Sequence, residues 1–308
     1  MLAQSEALAH LRLAADVAGL DIDELAVPVE HDAVVDGLRL HYLDWGHHDR
    51  PALVFLHGGC LTAHTWDLVC LVLRADFHCL AVDQRGHGDS EWSPILDYEP
   101  DAHVRDVRGL IEQLGLKKPV LIGQSLGGLN AMTYATRAAM QLAGIVMVDV
   151  GPDVQRSGAQ RVADFVMGDP GPGSVEDFVQ RARAFNPRRD PRLLRYSLLH
   201  NLRRLPDGAC TWKYDRRGLS PENLASVWRS LDKLRDRIDA VACPVLVVRG
   251  AESDAFSDTD AAGFAAALPD GRWARVENAG HTVQGDNPRG LVEVLAEFLA
   301  EIGHTRSP

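Results

Sequence analysis

At 308 residues, with 46% hydrophobic and 24% charged side chains, the chain has the composition of a soluble globular protein able to bury a large core. A formal net charge of −11 excludes nucleic acid as an expected partner, because phosphate binding needs a basic surface. The start, Met1-Leu-Ala-Gln-Ser-Glu-Ala, lacks the basic residues and apolar run of a secretory signal, and no apolar stretch is long enough to span a bilayer. A cytoplasmic protein without a membrane partner is expected. The five cysteines are scattered, odd in number and free of C-x-x-C spacing, so neither a disulfide framework nor a zinc site is expected.

Leu8, Leu11, Ala15 and Ala18 recur at helical spacing and predict an amphipathic helix within residues 1–25. Alternating Val27 to Val35 and Leu38 to Leu43 flank Asp36-Gly37, the pattern of a hairpin. The apolar runs Pro51–Leu56, Phe77–Val82, Pro119–Ile122, Leu142–Val148 and Pro244–Val248 then read as strands buried on both faces, as in a parallel sheet. Helical segments alternate with them: His64 to Leu73, Ala102 to Leu114, Leu126 to Ala139 and Asp258 to Leu268. A last strand, Trp273 to Glu277, leads to a closing helix that Asn287 caps and Pro288 opens.

The alternation breaks once. Residues 151–240 carry no buried-strand run and predict a mainly helical cap, inserted after the sixth strand into a core of residues 26–150 and 241–308. From 150 to 239 there are 17 Lys and Arg against 12 Asp and Glu, a balance of +5, so the remainder carries −16.

The chemistry centres on Gly123-Gln124-Ser125-Leu126-Gly127. A strand that turns at once into a helix around a serine flanked by glycines is a nucleophile elbow. A serine hydroxyl is a poor nucleophile, so Ser125 needs a base, a group to orient that base, and donors for an oxyanion. His281, in Asn278-Ala-Gly-His281, follows the last strand and is the candidate base. For the acid, the turn Arg249-Gly-Ala-Glu-Ser-Asp254 favours Asp254, with Asp149 at the end of the preceding strand as its rival.

These motifs, with His57-Gly58-Gly59 and Asp83-Gln-Arg-Gly-His-Gly-Asp-Ser90, resemble the α/β-hydrolase fold superfamily from about Val27 to Gly303. The resemblance implies a mostly parallel twisted sheet flanked by helices. It also implies an oxyanion hole from the backbone N–H groups of Gly59 and Leu126, a structural role for His57, and no cofactor or metal.

The expected function is a serine hydrolase that cleaves a small-molecule carboxylic ester or lactone through an acyl-enzyme on Ser125. A C–C bond hydrolase or perhydrolase of the same fold is the alternative, although Thr282 stands where C–C hydrolases often carry tryptophan after the histidine. A non-catalytic small-molecule receptor is the alternative from another class. Phe165, Met167, Phe178, Phe185, Trp212, Tyr214 and Trp228 are candidates to line an apolar pocket. Arg181, Arg183, Arg188, Arg189, Arg192 and Arg195 read first as a solvated helix face and second as a carboxylate-binding cluster. Oligomeric state is not legible.

Overall fold

The computed structural model describes residues 4–138, 141–168 and 171–305. Met1, Ala139 and Pro170, which fall within the expected first helix, fourth helix and inserted cap, lie outside the described residues.

An eight-stranded sheet forms the centre, from β1 (Val29–Val35), β2 (Leu38–Asp44), β3 (Ala52–Leu56), β4 (His78–Val82), β5 (Val120–Gln124), β6 (Gly144–Val148), β9 (Val245–Gly250) and β10 (Gly271–Val276). Its order is β1-β2-β4-β3-β5-β6-β9-β10. The β1–β2 and β2–β4 pairs are antiparallel and all the others parallel. The expected hairpin closes at Asp36 and Gly37, both with positive φ (49° and 81°), the requirement of a two-residue hairpin loop that follows the sheet twist.

The five central strands β3 to β6 and β9 are buried along their whole length, because helices cover both faces. On one side α3 (Pro100–Gln113), α4 (Leu126–Ala138) and α9 (Asp258–Ala267) pack through residues such as Leu110, Met132 and Phe264. On the other, α1 (Gln4–Val17), α2 (Asp67–Leu73) and α11 (Pro288–Glu301) contribute Leu11, Leu71 and Leu295. Burial of one such leucine is worth about 2 kcal/mol, so the two layers fix the sheet that carries the motifs. Asn287 caps α11 by accepting the Gly290 N–H.

Between β6 and β9 the chain builds α5 (Arg156–Met167), α6 (Val175–Phe185), α7 (Pro191–Asn201), a short antiparallel hairpin of β7 (Leu202–Arg204) and β8 (Cys210–Trp212), and α8 (Pro221–Arg235). The hairpin was not expected; its three-residue strands are too short to show alternation. Phe178, Leu194, Leu198 and Trp212 form a separate apolar cluster within this inserted segment. A four-residue helix, α10 (Val283–Asp286), follows the His281 loop. Among the described residues, no helix is long and apolar enough to cross a membrane.

Candidate active site

Parallel strands deliver their C-terminal ends to one edge of the sheet, and the loops leaving β3, β5, β6, β9 and β10 meet there. At the end of β5, Ser125 adopts φ 51°, a left-handed conformation that costs a non-glycine residue about 1–3 kcal/mol. The surroundings impose it. Ser125 N–H donates to Val148 O at 3.1 Å, and Ser125 O accepts the Leu129 N–H at 3.0 Å. The flanking glycines are obligatory: a Cβ on Gly123 would lie 2.2 Å from the Gly127 carbonyl, and one on Gly127 would lie 2.2 Å from Leu56 O.

Leu126 opens α4, so its N–H has no intrahelical acceptor. Gly59 sits in the loop after β3, and both residues line the same cavity as Ser125 and His281. His281 follows β10, and its Nδ1 lies 2.8 Å from a carboxylate oxygen of Asp149.

The acid beside the imidazole is therefore Asp149, at the end of β6, and not the favoured Asp254. Asp149 is fully buried, and its carboxylate also accepts the Gly250 N–H at 3.0 Å and the Ser253 hydroxyl at 2.5 Å. The turn after β9 thus presents Ser253 to the buried carboxylate. Asp254, one residue on, is half exposed and ion-pairs with Arg161 of α5 at 2.5 Å. Arg249 shapes this turn by donating to the carbonyls of Ala251, Ser253 and Phe256. β6 and β9 are neighbours, so a residue leaving either can reach the loop after β10.

A profile described as the alpha/beta hydrolase family matches residues 53–294. The chain belongs to that family. Its relatives include Esterase Rv0045c of Mycobacterium tuberculosis, 33% identical over 264 residues that make up 83% of this chain and 85% of that protein. The mouse sn-1-specific diacylglycerol lipase ABHD11 is 30% identical over 90% of this chain and 93% of its own length. A crystal structure of Rv0045c superposes with a TM-score of 0.77 at 31% identity, covering 97% of this chain and all of that one.

In this family member the catalytic edge and the inserted segment enclose a cavity of about 380 Å³. Six of the seven expected aromatic and Met residues line it; Phe178 instead packs edge-on against Trp212 inside the inserted segment, 4.9 Å between ring centroids. Arg189 reaches the cavity but is committed to Asp286 at 2.7 Å, with both side chains largely buried. Arg188 pairs with Glu252 at 3.0 Å, while Arg192 and Arg195 pair on the surface with Asp190 and Glu176. The arginine stretch is thus partly solvated face and partly a seam to the sheet edge. Cys60 also lines the cavity, where burial pushes its thiol up to about 12 and keeps it neutral.

Gln124, which sequence reasoning passed over, donates from Nε2 to His281 O at 3.0 Å and approaches His281 Nε2 at 3.3 Å. Its position one residue before the serine, at a strand end, was the signal available. Among the described residues, Ser125 Oγ makes no hydrogen bond to His281. His57 has a framework role: its Nε2 accepts the Gln84 N–H at 3.0 Å, its Nδ1 meets Gly58 O at 2.7 Å, and Gln84 Nε2 donates to its carbonyl at 2.6 Å. Asp83 likewise binds the N–H groups of Ala63 and Asp89.

The placement of the two carboxylates predicts opposite outcomes for isosteric variants. Asp149→Asn should lower kcat on a p-nitrophenyl ester about 10⁴-fold, since an amide favours the wrong imidazole tautomer. Asp254→Asn should stay within about threefold of wild type, as expected for a half-exposed ion pair. The reverse ranking would return Asp254 to the imidazole.

Burial holds His57 down to about 3, and also lowers His87 and His103. His57 is neutral in the fold but protonated in the unfolded chain below about pH 6.5, so unfolding takes up a proton there, and His87 and His103 act in the same sense. The His57 contribution is whole above that pH and falls as pH drops toward about 3, by about 1.4 kcal/mol per pH unit. His64, raised by the Asp67 carboxylate, acts in the opposite sense and offsets part of the slope. Urea midpoints should decline from pH 7 to pH 5; a flat profile contradicts neutral burial of these rings.

Proposed function

We propose that this ester hydrolase works through an acyl-enzyme on Ser125, with His281 as general base and Asp149 as the group that orients it. The observation that carries the reading is the hydrogen bond between His281 and the fully buried Asp149, set in one cavity with the strained Ser125 elbow. Asp149 accepts the Nδ1 proton, which leaves Nε2 as the basic nitrogen. On substrate binding, Nε2 exchanges its approach to Gln124 for the Ser125 hydroxyl, in keeping with catalytic hydrogen bonds that tighten only in the complex.

Ser125 Oγ attacks the ester carbonyl and its proton passes to Nε2. The N–H groups of Gly59 and Leu126 receive the oxyanion, each worth on the order of 3 kcal/mol in a dry site. The imidazolium returns its proton to the leaving alcohol as the acyl-enzyme forms. Water, deprotonated by the same nitrogen, then releases the acid and restores Ser125.

The inserted segment acts as the cap that selects substrate. Phe165, Phe185, Leu198 and Trp228 suit an uncharged apolar acyl or alcohol group, and the one arginine in the wall that the sequence offered for a carboxylate, Arg189, already holds Asp286. Carboxylic esters and lactones with a neutral apolar portion are therefore the substrate class. The names of the relatives, an esterase and a diacylglycerol lipase, point to the same class.

A series of p-nitrophenyl esters tests both parts. From acetate upward, kcat/KM should rise about fourfold for each CH₂ buried, at about 0.8 kcal/mol per group, until the cavity is filled. A fluorophosphonate should label wild type and not Ser125→Ala, whose turnover should fall about 10⁶-fold. Retained turnover in Ser125→Ala would sink the acyl-enzyme.

A further inference from the structure

Outside the cavity, three groups of His and carboxylate side chains converge among the described residues: His41 with Asp83 and Asp89, Asp44 with His48 and His78, and His64 with Asp67 and His200. In the first, Asp83 is already taken up by Ala63 N–H, Asp89 N–H and His41. In the second, the His48 ring is 73% exposed. The first also leaves His41 Nε2 without a hydrogen-bond partner, but its Asp89 is exposed; the third has no exposed member, joins two parts of the chain and leaves a carboxylate oxygen of Asp67 without a partner.

His64 lies in a 3-10 turn, Ala63–Trp66, directly after the Gly59 loop, and Asp67 is the first residue of α2. Their spacing of three brings them to one face, with His64 Nδ1 at 2.9 Å from Asp67 Oδ2. His200 comes from α7 of the inserted segment, and its ring stacks on that of His64 with centroids 3.8 Å apart. The Tyr196 hydroxyl donates to Asp67 Oδ2 at 2.5 Å.

Asp67 is only 2% exposed, yet its second oxygen, Oδ1, is buried with no hydrogen-bond partner. Nearby on α1, His10 Nδ1 is also buried and unpartnered. No ring-nitrogen hydrogen bond of His200 is found among the described residues.

We propose that His64, Asp67 and His200 form a site for a divalent transition metal of the Zn²⁺ type, which fastens α7 to the turn that follows the Gly59 loop. Two imidazole nitrogens and one carboxylate oxygen suit Zn²⁺, Co²⁺ or Ni²⁺ and not the all-oxygen shells of Ca²⁺ and Mg²⁺. Their ligand atoms lie within 4.8 Å of one another. A tetrahedral ion at about 2.1 Å from each ligand sets them about 3.4 Å apart, a closure within reach of side-chain rotation. The ion takes the place of the proton between His64 and Asp67, which leaves to solvent, and water completes the shell. No linear motif announces the site, because its ligands come from positions 64, 67 and 200.

The site also touches the catalytic machinery indirectly. Asn201, next to His200, lines the cavity and accepts the Thr62 hydroxyl at 2.9 Å. A metal at His200 would stiffen that wall and link the inserted segment to the oxyanion loop.

Titration of chelator-treated full-length protein with Zn²⁺ and Co²⁺ tests the site. Wild type should take up one ion per chain at this site, show the intense visible bands of tetrahedral Co²⁺, and melt at a higher temperature with Zn²⁺. His64→Gln and His200→Gln should each abolish these signals, and Asp67→Asn should weaken them sharply. His48→Gln, which dismantles the exposed group, and His281→Gln, which removes the base, should keep them. Circular dichroism of every variant, with ester turnover in chelator for the first three, establishes that each is folded. Binding that persists in folded His200→Gln, that disappears in His281→Gln, or that is absent from wild type at several-fold excess of Zn²⁺ overturns the proposal.

Discussion

A carboxylate with no contact with water holds the catalytic edge together. Asp149 ends β6, accepts a backbone N–H from the end of β9 and a hydroxyl from the turn beyond it, and meets the imidazole carried by the loop after β10. Three consecutive strands in the sheet order are thereby tied at one point. An isolated buried charge would cost several kcal/mol, and these donors offset that cost only if all of them stay in place. The carboxylate that meets His281 is thus also the structural link for the loops that leave β6, β9 and β10.

Around this point the inserted segment and the sheet edge meet through charge. Arg161 with Asp254, Arg188 with Glu252 and Arg189 with Asp286 join a segment of +5 to a remainder of −16. The first two pairs are about half exposed and contribute little individually. Arg189 and Asp286 are buried, and Asp286 also accepts the Gly280 N–H beside His281 and a hydrogen bond from Asn186. That network ties the inserted segment to the loop that carries His281, so the cavity wall and that loop are positioned by common residues.

Much of this was legible in the sequence because it rests on local rules. Buried parallel strands must be apolar throughout, a tight hairpin needs positive φ at two residues, and an elbow needs glycines where strand and helix touch. Those rules located β1 to β6 and the strand-to-helix turn at Ser125. That Asp149 and not Asp254 stands beside His281 was not legible, for a reason of the same kind. β6 and β9 lie side by side, so Asp149 and Asp254 are equivalent in pattern, and the choice turns on Ser253 and Arg249 shaping one turn in three dimensions. The cap hairpin, the Arg189–Asp286 pair and the His64–Asp67–His200 group join residues up to 136 positions apart with no periodicity to reveal them.

Gln124 joins the elbow, the Gly58-Gly59 loop and His281 into one unit. A Cβ on Gly58 would lie 2.0 Å from Gln124 Oε1, so the glycine exists to let the carboxamide lie against the oxyanion loop. The other end of the same carboxamide holds the His281 carbonyl at 3.0 Å. Because Gln124 adjoins Ser125 in the chain, any shift of the elbow moves the amide that fixes donor loop and base together. The contact at His281 O involves backbone and is independent of the ring, whereas the 3.3 Å approach to Nε2 is the contact that the proposed mechanism passes to Ser125. Rigid positioning and a single exchangeable contact thus reside in one side chain.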